Sequence, residues 1–144
     1  MSDSDLIQLY SGRILELAAN IPHLGRLSAP DGTARKRSPL CGSTVTVDVT
    51  VRHGHVTQFA QDVKACALGQ ASAAILGQVV IGRNLAELAA AREALKAMLK
   101  DSGPVPLAPF SGYEILLPAR DYKNRHASIL LALDAVCEAV ALAE

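Results

Sequence analysis

The chain contains no tryptophan, and its 144 residues include only two phenylalanines and three tyrosines. Half of the residues are hydrophobic, mostly alanine, leucine and valine. A core of small aliphatic side chains without large anchors implies closely packed helices. Net charge is missing too, because fourteen basic residues balance fourteen acidic ones. Composition therefore supplies no broad field for nucleic acid or a membrane surface, and neither is expected as a partner. No run of about eighteen apolar residues occurs, so no membrane-spanning segment is expected. Met1 to Asp5 is polar and acidic, unlike a secretory signal. The expected compartment is the cytoplasm, where three cysteines serve as thiols, metal ligands or core residues rather than disulfides. Walker and dinucleotide glycine patterns are also absent.

What is present reads as one domain over residues 1–144. Leu6, Leu9, Tyr10, Ile14 and Leu17 recur at helical spacing, predicting a helix from Leu6 to Ala19 capped by Asp3 or Ser4. Residues 26–43 read as loop or short edge strand, with a turn at Pro30-Asp-Gly32 and a basic stretch from Ala34 to Ser38. Thr44 to Val51 alternates polar residues with valines, which places the valines on one face of a strand. His53-Gly54 is a hairpin turn, and His55 to Val63 is the returning strand. Cys66 to Val80 is rich in small residues and reads as a buried helix. Asn84-Leu-Ala-Glu87 is a capping box that opens another helix, to about Lys100. Ser102 to Pro109 is a linker, Tyr113 to Leu117 a short helix before Pro118, and a last helix starts near Arg125. The expected fold class is α+β in two layers, with a small antiparallel sheet of about three strands packed against several helices.

Chemistry concentrates at one end of that sheet. Cys41 precedes the valine strand, and Cys66 follows the returning strand. A tight hairpin brings the start of one strand beside the end of the other, so the two cysteines are expected to meet. Cys66 opens a helix, whose dipole favours thiolate, and Lys64 and the basic stretch Arg35-Lys-Arg37 add positive charge. Thiolate binds soft or borderline metals and accepts sulfur. His126 opens the last helix and is a third candidate donor; two thiolates and an imidazole leave one coordination position open. The bland readings stand beside these: cysteine is often a small buried hydrophobe, a histidine at a helix start often bonds backbone, and a basic stretch is usually a solvated face. Cys137 lies ten residues beyond Ala127, about 15 Å along the helix, and reads as a core thiol. His23, His53 and His55 read as loop and hairpin-tip residues.

Leu40-Cys-Gly42 before a strand, Lys64-Ala-Cys-Ala67 opening a small-residue helix, and His126-Ala-Ser-Ile-Leu130 opening the last helix together resemble the IscU/NifU-like family of iron–sulfur cluster scaffolds. The likeness covers nearly the whole chain, and the long link from Ser102 to Asn124 is similar to the SufU-type branch. The resemblance implies zinc or iron at a site of Cys41, Cys66 and His126, with Ser43 and Lys64 beside it. It further implies a 2Fe-2S cluster as product, a cysteine desulfurase as sulfur source and iron–sulfur apoproteins as recipients. Such a protein holds and exchanges metal and sulfur and is not an enzyme. Two positions depart from the family pattern: the aspartate after Cys-Gly is Ser43, and the third cysteine is Ala127. The site thereby lacks a carboxylate and a sulfur. This favours a rival expectation, a zinc-binding member that regulates a desulfurase without building a cluster. A third is a persulfide carrier that uses Cys66.

Overall fold

A computed structural model describes residues 11–39 and 42–144. Its elements follow in the order α1 (Gly12–Ala19), β1 (Gly32–Arg37), β2 (Thr44–Arg52), β3 (His55–Lys64), α2 (Ala67–Val79), α3 (Leu85–Lys100), a 3-10 helix (Ser111–Asp121) and α4 (Lys123–Ala143). The three strands form one antiparallel sheet in the order β1-β2-β3, so the fold is α+β as expected. The helix expected to run from Leu6 to Ala19 instead starts at Gly12, because Ser11 is extended and caps it, its Oγ accepting from the Ile14 N–H at 3.4 Å; residues 1–10, with the expected caps Asp3 and Ser4, lie outside the described residues.

Period-two alternation in β2 dictates which face is buried. Val45, Val47 and Val49 are essentially without exposure and face the helices, as the sequence pattern predicts. Their cross-strand neighbours Ala34 and Phe59 join them. His53 and Gly54 both have positive φ, 54° and 78°, the backbone that a two-residue hairpin requires. The basic stretch, expected as loop or short edge strand, is strand: β1 pairs with β2 from Gly32↔Val49 to Arg37↔Thr44. Gly32 is obligatory there, since a Cβ would overlap the backbone carbonyl of Ala139 on α4.

Helix α4 covers β1 and β2 and also packs on α2 and α3. It is 21 residues long and apolar enough in composition to cross a membrane, yet 67% of its most apolar stretch is buried inside the protein. That apolarity is used in the core. The capping box of α3 forms, with Asn84 accepting from the Glu87 N–H at 2.8 Å and Glu87 accepting from the Asn84 N–H at 3.1 Å. The short helix expected before Pro118 is instead a 3-10 helix that continues through that proline to Asp121.

The other face of the sheet is partly strapped by the loop between α1 and β1. Asp48, fully buried on that face, accepts from Arg26 Nε (2.6 Å), Arg26 Nη2 (3.1 Å), Thr33 Oγ1 (2.6 Å) and the Leu27 N–H (3.0 Å). Burial pushes its carboxyl upward, but these bonds and the Arg26 charge outweigh that and hold it below the usual carboxylate range.

Candidate functional site

The site end of the sheet is where β1 turns into β2 and β3 runs into α2. Ser38 N–H donates to the Ser43 carbonyl at 2.8 Å, and Gly42 N–H donates to the Ser38 carbonyl at 2.9 Å. Gly42 adopts φ +70°, a conformation that suits glycine. Cys41 belongs to this turn by sequence and lies outside the described residues. Thr44 is paired with Lys64, so the start of β2 lies beside the end of β3, as expected from the tight hairpin.

Cys66 is the N-cap residue of α2, extended at φ −68° and ψ 170°, and its side chain makes no cap hydrogen bond. The half-buried thiol lies 3.5 Å from Ser128 Oγ on α4. Ser128 Oγ in turn donates to Ser43 Oγ at 3.1 Å. Ser43 and Ser128 are both buried. One thiol and two hydroxyls, carried by three elements, therefore form a connected chain. A hydroxyl has one hydrogen. With that hydrogen given to Ser43, the lone pairs of Ser128 face Cys66 and accept from a neutral thiol. When Cys66 is a thiolate, the same hydroxyl turns and donates to sulfur.

Small residues make this approach of helices feasible. A Cβ at Gly69 would stand 2.6 Å from Ser128 Oγ and 2.8 Å from Ala65 Cβ. One turn further on, buried Ser72 donates to the Ile129 carbonyl at 2.6 Å and fixes α2 against α4. Ser128 was not singled out from the sequence. Its signal is that it forms the polar end of a buried stripe, Ser128, Ala132, Ala135 and Ala139, at the spacing of one helix face.

His126 has other partners. It is fully buried, and its Nε2 lies 3.0 Å from both the Ala119 and Arg120 carbonyls. Both are acceptors, so Nε2 carries the proton, and Nδ1 is buried with no hydrogen-bond partner. The imidazole thus closes the end of the 3-10 helix where α4 begins. At about 100° per residue, Ser128 projects about 200° around α4 from His126, and it is Ser128 that meets Cys66. His126 lines a cavity of about 400 Å³ with Lys100, Ser102, Arg120 and Lys123. Lys64 is exposed, as are His23, His53 and His55. Cys137 is buried, and burial pushes its thiol up to about 11, in keeping with a core role. Among the described residues, no three His, Cys, Asp or Glu side chains come together in a way that could hold a metal. Without Cys41, the donors described are one sulfur and two hydroxyl oxygens.

The profile of the NifU-like N-terminal domain matches residues 9–140. Among solved structures, the chain is similar to a nitrogen-fixing NifU-like protein (N-terminal) from Brucella abortus, with 48% identity, a TM-score of 0.93 and 96% of each chain covered. It shares its fold with a candidate iron–sulfur cluster assembly scaffold for the SUF system from the thermophile Fervidobacterium islandicum, with 18% identity, a TM-score of 0.81, and 93% of this chain and 98% of that one covered. A search of curated proteins finds no match.

Proposed function

Because the chain belongs to the family of the NifU-like N-terminal domain, we propose that it is a scaffold in iron–sulfur cluster assembly, with Cys66 as the central thiol. Iron and sulfide are its cargo. The observation that carries this reading is the convergence of Cys66, Ser128 and Ser43 at the sheet end whose turn holds Cys41 in sequence. Cys41 and Cys66 supply the thiolates. Ser43 and Ser128 bind the uncharged or charged thiol by hydrogen bonding and are weak metal donors at neutral pH. The proposal gives Ser128, rather than His126, the place beside Cys66, and gives His126 the task of holding the start of α4.

Such a donor set suits holding and passing on better than permanent retention. Two thiolates anchor the cargo, and hydroxyls yield readily to a stronger ligand from a recipient protein. A cysteine desulfurase is the sulfur source by chemical class, and iron–sulfur apoproteins are the recipients. The two serines also favour a second reading, in which the protein binds zinc and regulates a desulfurase without building a cluster.

Anaerobic reconstitution with iron and sulfide separates these readings. The scaffold reading expects visible absorption and acid-labile sulfide, both lost in Cys41→Ser and Cys66→Ser. His126→Ala retains them while its melting temperature falls. Zinc retained in the absence of any sulfide-containing product supports the regulatory reading. A cluster that survives both cysteine substitutions refutes the site assigned here.

A further inference from the structure

The two edges of the sheet are treated differently. The edge of β3 is occupied: Gln61 exchanges backbone bonds with His23 and Gly25, both 2.9 Å, and Val56 with Arg83 and Gly82, at 2.9 and 2.7 Å. Among the described residues, the edge of β1 is not. Ser38 N–H bonds the Ser43 carbonyl, which sets the phase of the antiparallel ladder. Lys36, Ala34 and Gly32 then direct their backbone groups to β2, and Thr33, Arg35 and Arg37 direct theirs outward. The occupied edge agrees, since Gln61 points away from β2 and leaves Val47 turned toward β1. Among the described residues, nothing pairs with the outward groups of Thr33, Arg35 and Arg37.

The side chains of these three residues are exposed, on the face opposite α4. Cross-strand rows on that face run Thr33–Asp48–Ala60, Arg35–Thr46–Asp62 and Arg37–Thr44–Lys64. The strap from His23 to Leu27 reaches the Asp48 row, where Arg26 and Thr33 take up the carboxylate. The last two rows hold three exposed cations without an ion pair among the described residues, Arg35, Arg37 and Lys64, against one exposed acid, Asp62. Lys36 points to the other face and pairs with Glu138 at 2.9 Å. The Arg37–Thr44–Lys64 row ends two residues before Cys66.

We propose that this open, basic edge receives an extended acidic segment of the partner protein that serves the Cys66 site, added beside β1 as a fourth strand. The proposal rests on the scaffold reading. Backbone pairing supplies register, and the cations select the occupant. A second copy of this chain is disfavoured: antiparallel β1–β1 pairing about Arg35 sets Arg35 against Arg35, and like charges directly opposite are destabilising. The same charges that prevent self-association leave an acidic strand as the complement.

The test uses the full chain and a fluorescein-labelled nine-residue peptide of alternating glutamate and valine, with a lysine–valine peptide as control. The glutamate peptide is expected to bind, to slow amide exchange at Thr33, Arg35 and Arg37 at least tenfold, and to lose at least tenfold in affinity to Arg35→Glu/Arg37→Glu. Arg35→Gln/Arg37→Gln, expected to bind at intermediate strength, serves if the charge reversal fails to fold. Failure to bind at millimolar peptide, binding that leaves those amides unprotected, or equal binding of the lysine peptide overturns the proposal. Iron and sulfide loading of the parent chain is read separately, without peptide. Failure of docking and failure of the scaffold reading are therefore distinguishable.

Discussion

Placing a sulfur at position 128 tests the geometry of the site directly. A tetrahedral zinc with thiolate ligands at about 2.3 Å has sulfur atoms about 3.8 Å apart along each edge. Cys66 Sγ and Ser128 Oγ are 3.5 Å apart, so Ser128→Cys brings a second sulfur within reach of the same metal. Structural zinc sites gather about 10–16 kcal/mol from four ligands, or about 3 kcal/mol for each. Exchanging a weak hydroxyl for a thiolate should therefore tighten zinc by about 100-fold. Some packing is lost in exchange: Ser128 is buried against Gly69, and the larger sulfur costs the metal-free protein about 1 kcal/mol. The comparison is Ala127→Cys, at the position of the family's third cysteine, one residue away and about 100° around the helix, which should tighten zinc less than Ser128→Cys. Competition against a chromophoric chelator at pH 7.5 reads both variants. Equal tightening by the two cysteines, or tightening by Ala127→Cys alone, would refute the assignment of Ser128 to the Cys66 site.

Gly69→Ala should force α2 away from α4, lower stability by about 1–3 kcal/mol in a denaturant titration and change the alkylation rate of Cys66, because the new methyl meets Ser128 Oγ. In a Cys41→Ser background at pH 8, Cys66 should react with a thiol reagent well before Cys137, whose thiol burial holds near 11; comparable rates would show that the last helix is open. Asp48→Asn should destabilise by about 1–3 kcal/mol, since Arg26, Thr33 and the Leu27 amide lose a charged acceptor. The folded Asp48 carboxyl titrates below its unfolded value, so its contribution is complete above about pH 4 and disappears as pH falls through the lower, folded value. Melting temperatures of parent and Asp48→Asn should accordingly converge toward pH 2, and a constant gap would remove the charge from the account.

The fold was legible where local pattern and tertiary burial agree. Alternating valines in β2, the His53-Gly54 turn and the Asn84–Glu87 capping box each specify backbone geometry within a few residues, and all three form. The edge strand was hard to read because Ala34-Arg-Lys-Arg37 carries almost no apolar alternation. Its strand character comes from pairing with β2 and from Gly32 and Ala34 lying under α4, which are contacts distant in sequence. The 3-10 helix was underestimated for a related reason. Pro118 interrupts α-helical bonding, but Tyr113, Leu116 and Ala119 are all buried and hold the looser turns in place on both sides of it.

Three consecutive residues of α4 bear on the proposed site. His126, Ala127 and Ser128 are adjacent in sequence but point about 100° apart, and Ser128 is the one hydrogen-bonded to Cys66 among the described residues. Aligning the segment by its histidine emphasises a side chain that is bonded to the carbonyls of Ala119 and Arg120. The small-residue stripe that ends at Ser128 gives the rotation, and the rotation gives the partner. Cys66 itself is then the least explained residue by folding alone. It occupies an N-cap, where serine, threonine, aspartate or asparagine would bond a free amide and contribute about 1 kcal/mol, yet it makes no such bond and remains half exposed. Cys66→Asp should therefore raise the melting temperature of the metal-free protein while abolishing iron and sulfide loading. A melting temperature that falls in Cys66→Asp would remove this argument for a role of the sulfur.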